Sequence, residues 1–211
     1  MPSRLEALCA RAVGCRRCFA DLGVAASRFD IACPRPVGPR YAAAKRRVAV
    51  LMLNPGSGAS RKDGADKHLL QLIRAFADGS GSLDAVFEQQ AGDMRDWGRG
   101  RFLPFYMEEL DLNPDETAIA NVAWCSTRDN APPPRLLNDC FEAHTGELLS
   151  ILQPDILLLS GSKTHKFAMR IRLLLPECLV IPMYHFTHRE GHDAQVRELL
   201  RVRSEMGAWG E

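Results

Sequence analysis

Two cysteines with two residues between them, Cys15 and Cys18 in "GCRRCF", form a C-x2-C pair flanked by arginines. Two thiols can clamp a metal but cannot complete its coordination. Five further cysteines are available: Cys9, Cys33, Cys125, Cys140 and Cys178. Cys178 opens an apolar run and is expected as a small buried hydrophobe. Cys125 and Cys140 are separated by fourteen residues that include "APPP". That proline loop lets the following helix fold back, so the two thiols can meet. With Cys15 and Cys18 they make a set of four thiolates, which suits either Zn or an iron–sulfur cluster. The alternative is that Cys125 and Cys140 are simply buried. Cys9 and Cys33 are weaker competitors for a ligand place.

Other polar groups gather at the ends of apolar runs. "LNPGS" holds Asn54, Pro55, Gly56 and Ser57, and "NVAW" holds Asn121. "SGSKTHK" holds Ser162, Lys163 and Lys166 where a helix should begin, a place that suits a phosphate. "YHFTHREGHD" holds His185, Thr187, His188, Arg189 and His192. An asparagine amide offers one acceptor and two donors. It can orient water or read a base edge, or it can serve an ordinary Asn-Pro-Gly turn. The H-x2-H-x3-H spacing of His185, His188 and His192 could hold Zn, or it belongs to a solvated loop. Residues 34–47 carry five basic side chains, Arg35, Arg40, Lys45, Arg46 and Arg47, and no acid. They are expected on a surface loop with a local basic face.

Four short apolar runs must position these groups: "RVAVLML" (47–53), "AIANVAW" (118–124), "DILLLS" (155–160) and "CLVIPM" (178–183). Continuous apolar runs of strand length fit strands covered on both faces. Between and after them lie helical patterns, such as Leu69, Leu70, Ile73 and Phe76 on one stripe. Strand alternating with helix predicts an α/β fold, a three-layer α/β/α sandwich around a short, mainly parallel four-stranded sheet. In such sheets ligands bind beyond the carboxyl ends of the strands, where the polar segments fall.

The chain has 211 residues, 46% of them hydrophobic, and a formal net charge of +1. One globular domain spanning 1–211 is expected, with a metal-binding segment over 1–33. The near-neutral charge excludes a globally basic nucleic-acid binder, so any such surface must be local. No apolar run is long enough for a transmembrane helix. The N-terminal residues lack the apolar core of a secretory signal. Seven cysteines without a signal point to a reducing compartment, so a cytoplasmic protein is expected.

The segment from "IANVAWC" through the proline loop and "NDC" to "PDILLLSGS" resembles the central motif of the iron–sulfur uracil-DNA glycosylases. With the N-terminal C-x2-C, the resemblance covers roughly residues 5–200. It implies a uracil-DNA glycosylase-like fold and a [4Fe–4S] cluster on Cys15, Cys18, Cys125 and Cys140, with Zn as the alternative. The cluster's role would be structural, pinning the N-terminal segment against the sheet.

"LNPGS" is similar to the Asn-Pro-Gly motif of the mismatch-specific and single-strand-selective glycosylases, whereas the iron–sulfur group usually carries a Glu-Ala-Pro-Gly type. The resemblance makes Asn54 the residue that orients water, with Pro55 and Gly56 shaping the base pocket. Asn121 becomes the base reader, and His185 the donor to the leaving base. Ser57, Ser162, Lys163, Thr187, His188 and Arg189 would contact DNA. Phe186 stands where the family has proline. The family's stacking phenylalanine is missing after the first motif, which leaves Phe102, Phe105 or Tyr106 to replace it. The implied activity is excision of uracil or a related deaminated base from DNA by a monomer, with no obligate protein partner. The alternative is an inactive or differently specialised iron–sulfur DNA-binding or damage-sensing protein of the same fold.

Overall fold

The structure is a computed structural model and describes residues 2–20, 31–55, 63–127, 131–187 and 191–209. Four strands, β1 (Val48–Met52), β2 (Thr117–Asn121), β3 (Ile156–Ser160) and β4 (Leu179–Met183), form one sheet in the order β2-β1-β3-β4. All its pairings are parallel, and β1 runs in register with β3 from Val48 opposite Ile156, as β3 does with β4 from Ile156 opposite Leu179. Every residue of β1, β2 and β3 is buried, as their unbroken apolar patterns require. The fold is α/β, as expected. The sheet order places a topological switch between β1 and β3, the position where open parallel sheets bind ligands.

The helices are α1 (Pro2–Gly14), α2 (Arg17–Ala20), α3 (Asp63–Ala77), α4 (Leu83–Asp93), α5 (Pro134–Cys140), α6 (Gly146–Leu152), α7 (Ser162–His165), α8 (Ala168–Leu174) and α9 (His192–Gly207). A π-helical turn, Phe141–Thr145, joins α5 to α6, so residues 134–152 run as one helix with a widened middle. Pro134 at the first helical position starts it, where a missing N–H costs nothing.

The chain divides into two compact units. The first comprises Met1–Pro36, Asn54–Asp93 and Ala120–Ile151. Its buried residues include Leu8, Ala12 and Val13 of α1, Ile73 of α3, Val86 of α4 and Leu136 of α5. The second comprises Val37–Leu53, Met94–Ile119 and Leu152–Glu211. Its core gathers Val50, Leu158 and Ile181 from three neighbouring strands with the aromatic rings of Phe102, Tyr106 and Phe186.

Three expectations need correction. β2 ends at Asn121, short of Trp124, because side chains take the next backbone groups. The Trp124 N–H donates to Cys140 Sγ at 3.2 Å, and the Thr145 hydroxyl lies 3.0 and 2.9 Å from the Asn121 and Val122 carbonyls. The helix expected to begin at "SGSKTHK" is broken near Phe167 into α7 and α8. The basic loop is largely committed to structure. Arg46 donates to the Met206 and Trp209 carbonyls, closing the end of α9. Arg47 grips Asp155 at 2.8 Å, and Arg40 faces Asp115 and Glu116.

Candidate functional site

Asn54 is the second residue after β1 and Asn121 is the last of β2. Both are buried, with 8% and 2% of their surface exposed, a costly place for an amide unless it is paired. Asn121 is paired on both sides once its amide is turned to meet complementary partners. Its oxygen accepts from Arg35 Nε at 2.9 Å, and its nitrogen donates to the Ala120 carbonyl at 3.2 Å. Pro55 lies against the same amide, its hydrogen-less ring nitrogen 3.2 Å from the oxygen. The Asn54 amide donates back to the Pro55 carbonyl at 3.2 Å, holding the turn. Two motifs 66 positions apart in sequence thus meet side by side. Gly56 and Ser57 lie outside the described residues.

Arg35 is the residue that sequence reasoning placed wrongly, on the surface. Its guanidinium reaches inward, donating to Gln90 Oε1 at 3.1 Å, and the Gln90 amide donates to the Pro34 carbonyl at 2.7 Å. Burial lowers its pKa, while the nearby Cys33 thiol acts in the opposite sense. Nothing in the sequence around it, Pro34 and Pro36 included, says that the side chain points inward.

The cysteines expected as ligands also converge. Cys15, Cys18, Cys125 and Cys140 line one cavity, together with Ala12, Arg17, Trp124, Asp139 and His144. The Cys125 thiol donates to the Cys18 sulfur, which draws the Cys18 pKa down and pushes that of Cys125 up. Burial pushes Cys140 up to about 12. Cys9 and Cys33 are buried but are not among the residues lining this cavity, and Cys178 is buried too.

Among the described residues, no three His, Cys, Asp or Glu side chains converge on a single ion. Four thiols lining one cavity are a donor set that either a zinc ion or an iron–sulfur cluster takes. Arg16 turns away from the cavity and donates to the Val13 and Cys15 carbonyls, closing the end of α1. Arg17 lies at the cavity's exposed rim.

In the second unit, His185 follows β4 by two residues. The Thr187 N–H donates to its Nδ1 at 3.2 Å, and the Thr187 hydroxyl lies 2.7 Å from the same atom. A nitrogen that accepts a backbone N–H carries no proton, so in the neutral ring the proton is on Nε2. Burial, helped by the Arg101 charge, lowers the His185 pKa to about 4. The ring is therefore a neutral N–H donor at neutral pH.

Phe186 is buried and packs edge-on against Phe102 and Tyr106, each at 5.9 Å between centroids. Gly98 lies beneath it, where a Cβ would come within 1.9 Å of the Phe186 ring. The loop is anchored by this packing. Phe102, Phe105 and Tyr106 are all buried among the core side chains of this unit. Tyr106 spends its hydroxyl on Ser160. These three rings are core, so the suggestion that one of them replaces the stacking phenylalanine is not supported.

Ser162 and Lys163 are exposed on α7, but α7 is a single turn of four residues. It offers too few aligned peptides for the helix-terminus phosphate site expected there. His188 and Arg189 lie outside the described residues, as does the His192 side chain. No helix among the described residues is long and apolar enough to cross a membrane. Neither a scan against protein-family models nor a search of curated proteins finds a match to this chain.

Proposed function

We propose that the chain is a DNA glycosylase of the uracil-DNA glycosylase superfamily, with an iron–sulfur cluster and an Asn-Pro-Gly water loop. It would hydrolyse the N-glycosidic bond of uracil, or a related deaminated base, flipped out of DNA. The contact of Pro55 with the Asn121 amide carries this reading, because it brings a water-orienting loop against a base-reading side chain. With its oxygen bonded to Arg35 and one amide hydrogen bonded to Ala120, Asn121 keeps one lone pair and one N–H. The Watson–Crick edge of uracil offers the complement, an N–H donor beside a carbonyl acceptor. Cytosine offers the reverse and would be refused.

In this reaction the bond from C1′ to the base breaks, and the base leaves with the electron pair. Asn54 orients water toward C1′, whose cationic character makes even a weakly assisted water sufficient. The water's oxygen joins C1′, and its proton ends on the base or in solvent. The part the resemblance gives His185, donation to the carbonyl oxygen of the leaving base, needs a neutral ring protonated on Nε2. Its own surroundings favour that tautomer. Such donors act by stabilising charge that develops only as the bond breaks. Cys15, Cys18, Cys125 and Cys140 would hold the cluster, which supplies a crosslink between α2, the segment after β2 and α5.

A panel of labelled oligonucleotides tests the reading. Each carries uracil, hypoxanthine, xanthine or mismatched thymine, single- or double-stranded, and is heated in alkali after incubation to reveal abasic sites. Cleavage at uracil by the wild type and its loss in Asn54→Ala are expected. An intact panel, with every base and both strand states, would remove the glycosylase reading.

A further inference from the structure

Besides its four thiols, the exposed Arg17 and the half-buried Asp139, the cavity has one buried ionisable wall group, His144, which is 7% exposed. Neither of its ring nitrogens has a hydrogen-bond partner among the described residues. Buried polar atoms without partners are rare, and each calls for an explanation such as a bound group. The two neighbouring polar groups are already satisfied. The Trp124 indole donates to the Thr145 hydroxyl, and the Trp124 backbone N–H to Cys140 Sγ.

His144 also stands in the π-helical turn Phe141–Thr145 that begins immediately after Cys140. An extra residue in a helical turn is a local cost that recurs at functional sites. Here it falls on the stretch that carries the unpaired ring. A neutral imidazole has one N–H to give, and an iron–sulfur cluster presents electron-rich sulfurs that accept hydrogen bonds and are tuned by them.

We propose that His144 is a fifth protein group of this site, donating a ring N–H to a sulfur of the iron–sulfur cluster. This rests on the reading that the four cysteines hold such a cluster. His144 is then a positioning residue, not a ligand. Its bond offsets negative charge on the cluster, raises the reduction potential and slows oxidative loss.

The test uses the full chain, reconstituted without oxygen, and reads iron and sulfide content, Fe–S stretching frequencies in H2O and D2O, and reduction potential. In wild-type protein labelled with 15N-histidine, a ring N–H resonance displaced by the cluster is expected, a reading that needs no variant. His144→Phe should keep iron and sulfide in the cluster's ratio. It should lose part of the deuterium shift, have a lower potential and bleach several-fold faster in air. His144→Gln, which retains an N–H, should recover most of each.

Wild-type protein that takes up no iron and sulfide overturns the cluster reading and this proposal together. A full cluster with no displaced ring N–H, or with spectrum and potential unchanged in His144→Phe, overturns His144 alone. Loss of one iron in that variant would make His144 a ligand and overturn its role as donor.

Discussion

Asn121 and His185 are both polar residues at strand exits, and they are held by opposite means. Asn121 is fixed by hydrogen bonds from Arg35 and to Ala120, on a backbone tied to Thr145. His185 owes its place chiefly to its neighbour, with Phe186 packed between Phe102, Tyr106 and Gly98. A polar clamp sets which atom of an amide faces outward, and fails when a partner is removed. A packed anchor sets where a ring stands, and fails when volume changes. Under the proposed function, the first would protect specificity and the second position.

That contrast can be broken from either side. Phe186→Ala should have the largest effect, costing about 3–5 kcal/mol of stability through the cavity it leaves, read as a lower urea midpoint. Gly98→Ala attacks the same contact from below, and its positive φ of 59° adds strain. Asn121→Ala should leave stability closer to wild type but slow uracil excision about 10²–10³-fold, the usual cost of one lost donor in such sites. Single-turnover rates on a uracil oligonucleotide check it.

Arg35→Met keeps much of the volume and removes the clamp. It should cost about 1–3 kcal/mol, because Gln90 and Asn121 lose a partner. It should also narrow the preference for uracil over cytosine, since the freed amide can turn. Unchanged discrimination would show that Arg35 does not set the amide's orientation.

A smaller effect lies in the pH dependence of stability. The unfolded chain takes up the His185 proton near the ordinary value of 6.5, and the folded loop only near 4. Between these values the unfolded state holds more protons, so stability rises with pH across the window and is level above it. His144, also pushed down by burial, adds to the slope. The difference between wild type and His185→Gln in urea midpoint isolates the His185 share, and equal slopes would count against the neutral ring. Thr187→Val should be the mildest change, a few-fold in rate, since the Thr187 backbone N–H still fixes Nδ1.

The four strands were legible because β1, β2 and β3 are buried on both faces and β4 over most of its length, which leaves an uninterrupted apolar record. The observed runs differ from expectation by a few residues. The convergence of the four cysteines on one cavity was legible from the proline loop and the C-x2-C pair. Arg35 and His144 were not. An inward arginine looks like any loop arginine until Gln90 and Asn121, far along the chain, are seen to meet it. His144 lies on a helical stripe that reads as ordinary, and only the widened turn and its empty hydrogen-bonding capacity set it apart. The aromatic residues misled for a related reason. Their type suits stacking on a base, but composition does not say which rings the core has already claimed.

The cysteine cavity also sets an order of events during synthesis. Its first two thiols are at positions 15 and 18, and its last wall, His144, lies more than a hundred residues later. While the chain is being made, the cavity beside α2 lacks its last walls until α5 and the turn after it have emerged from the ribosome. Contacts so distant in sequence form late and slowly. For most of translation the C-x2-C pair is a pair of open thiols, and its closure is among the last steps by which the first unit becomes whole.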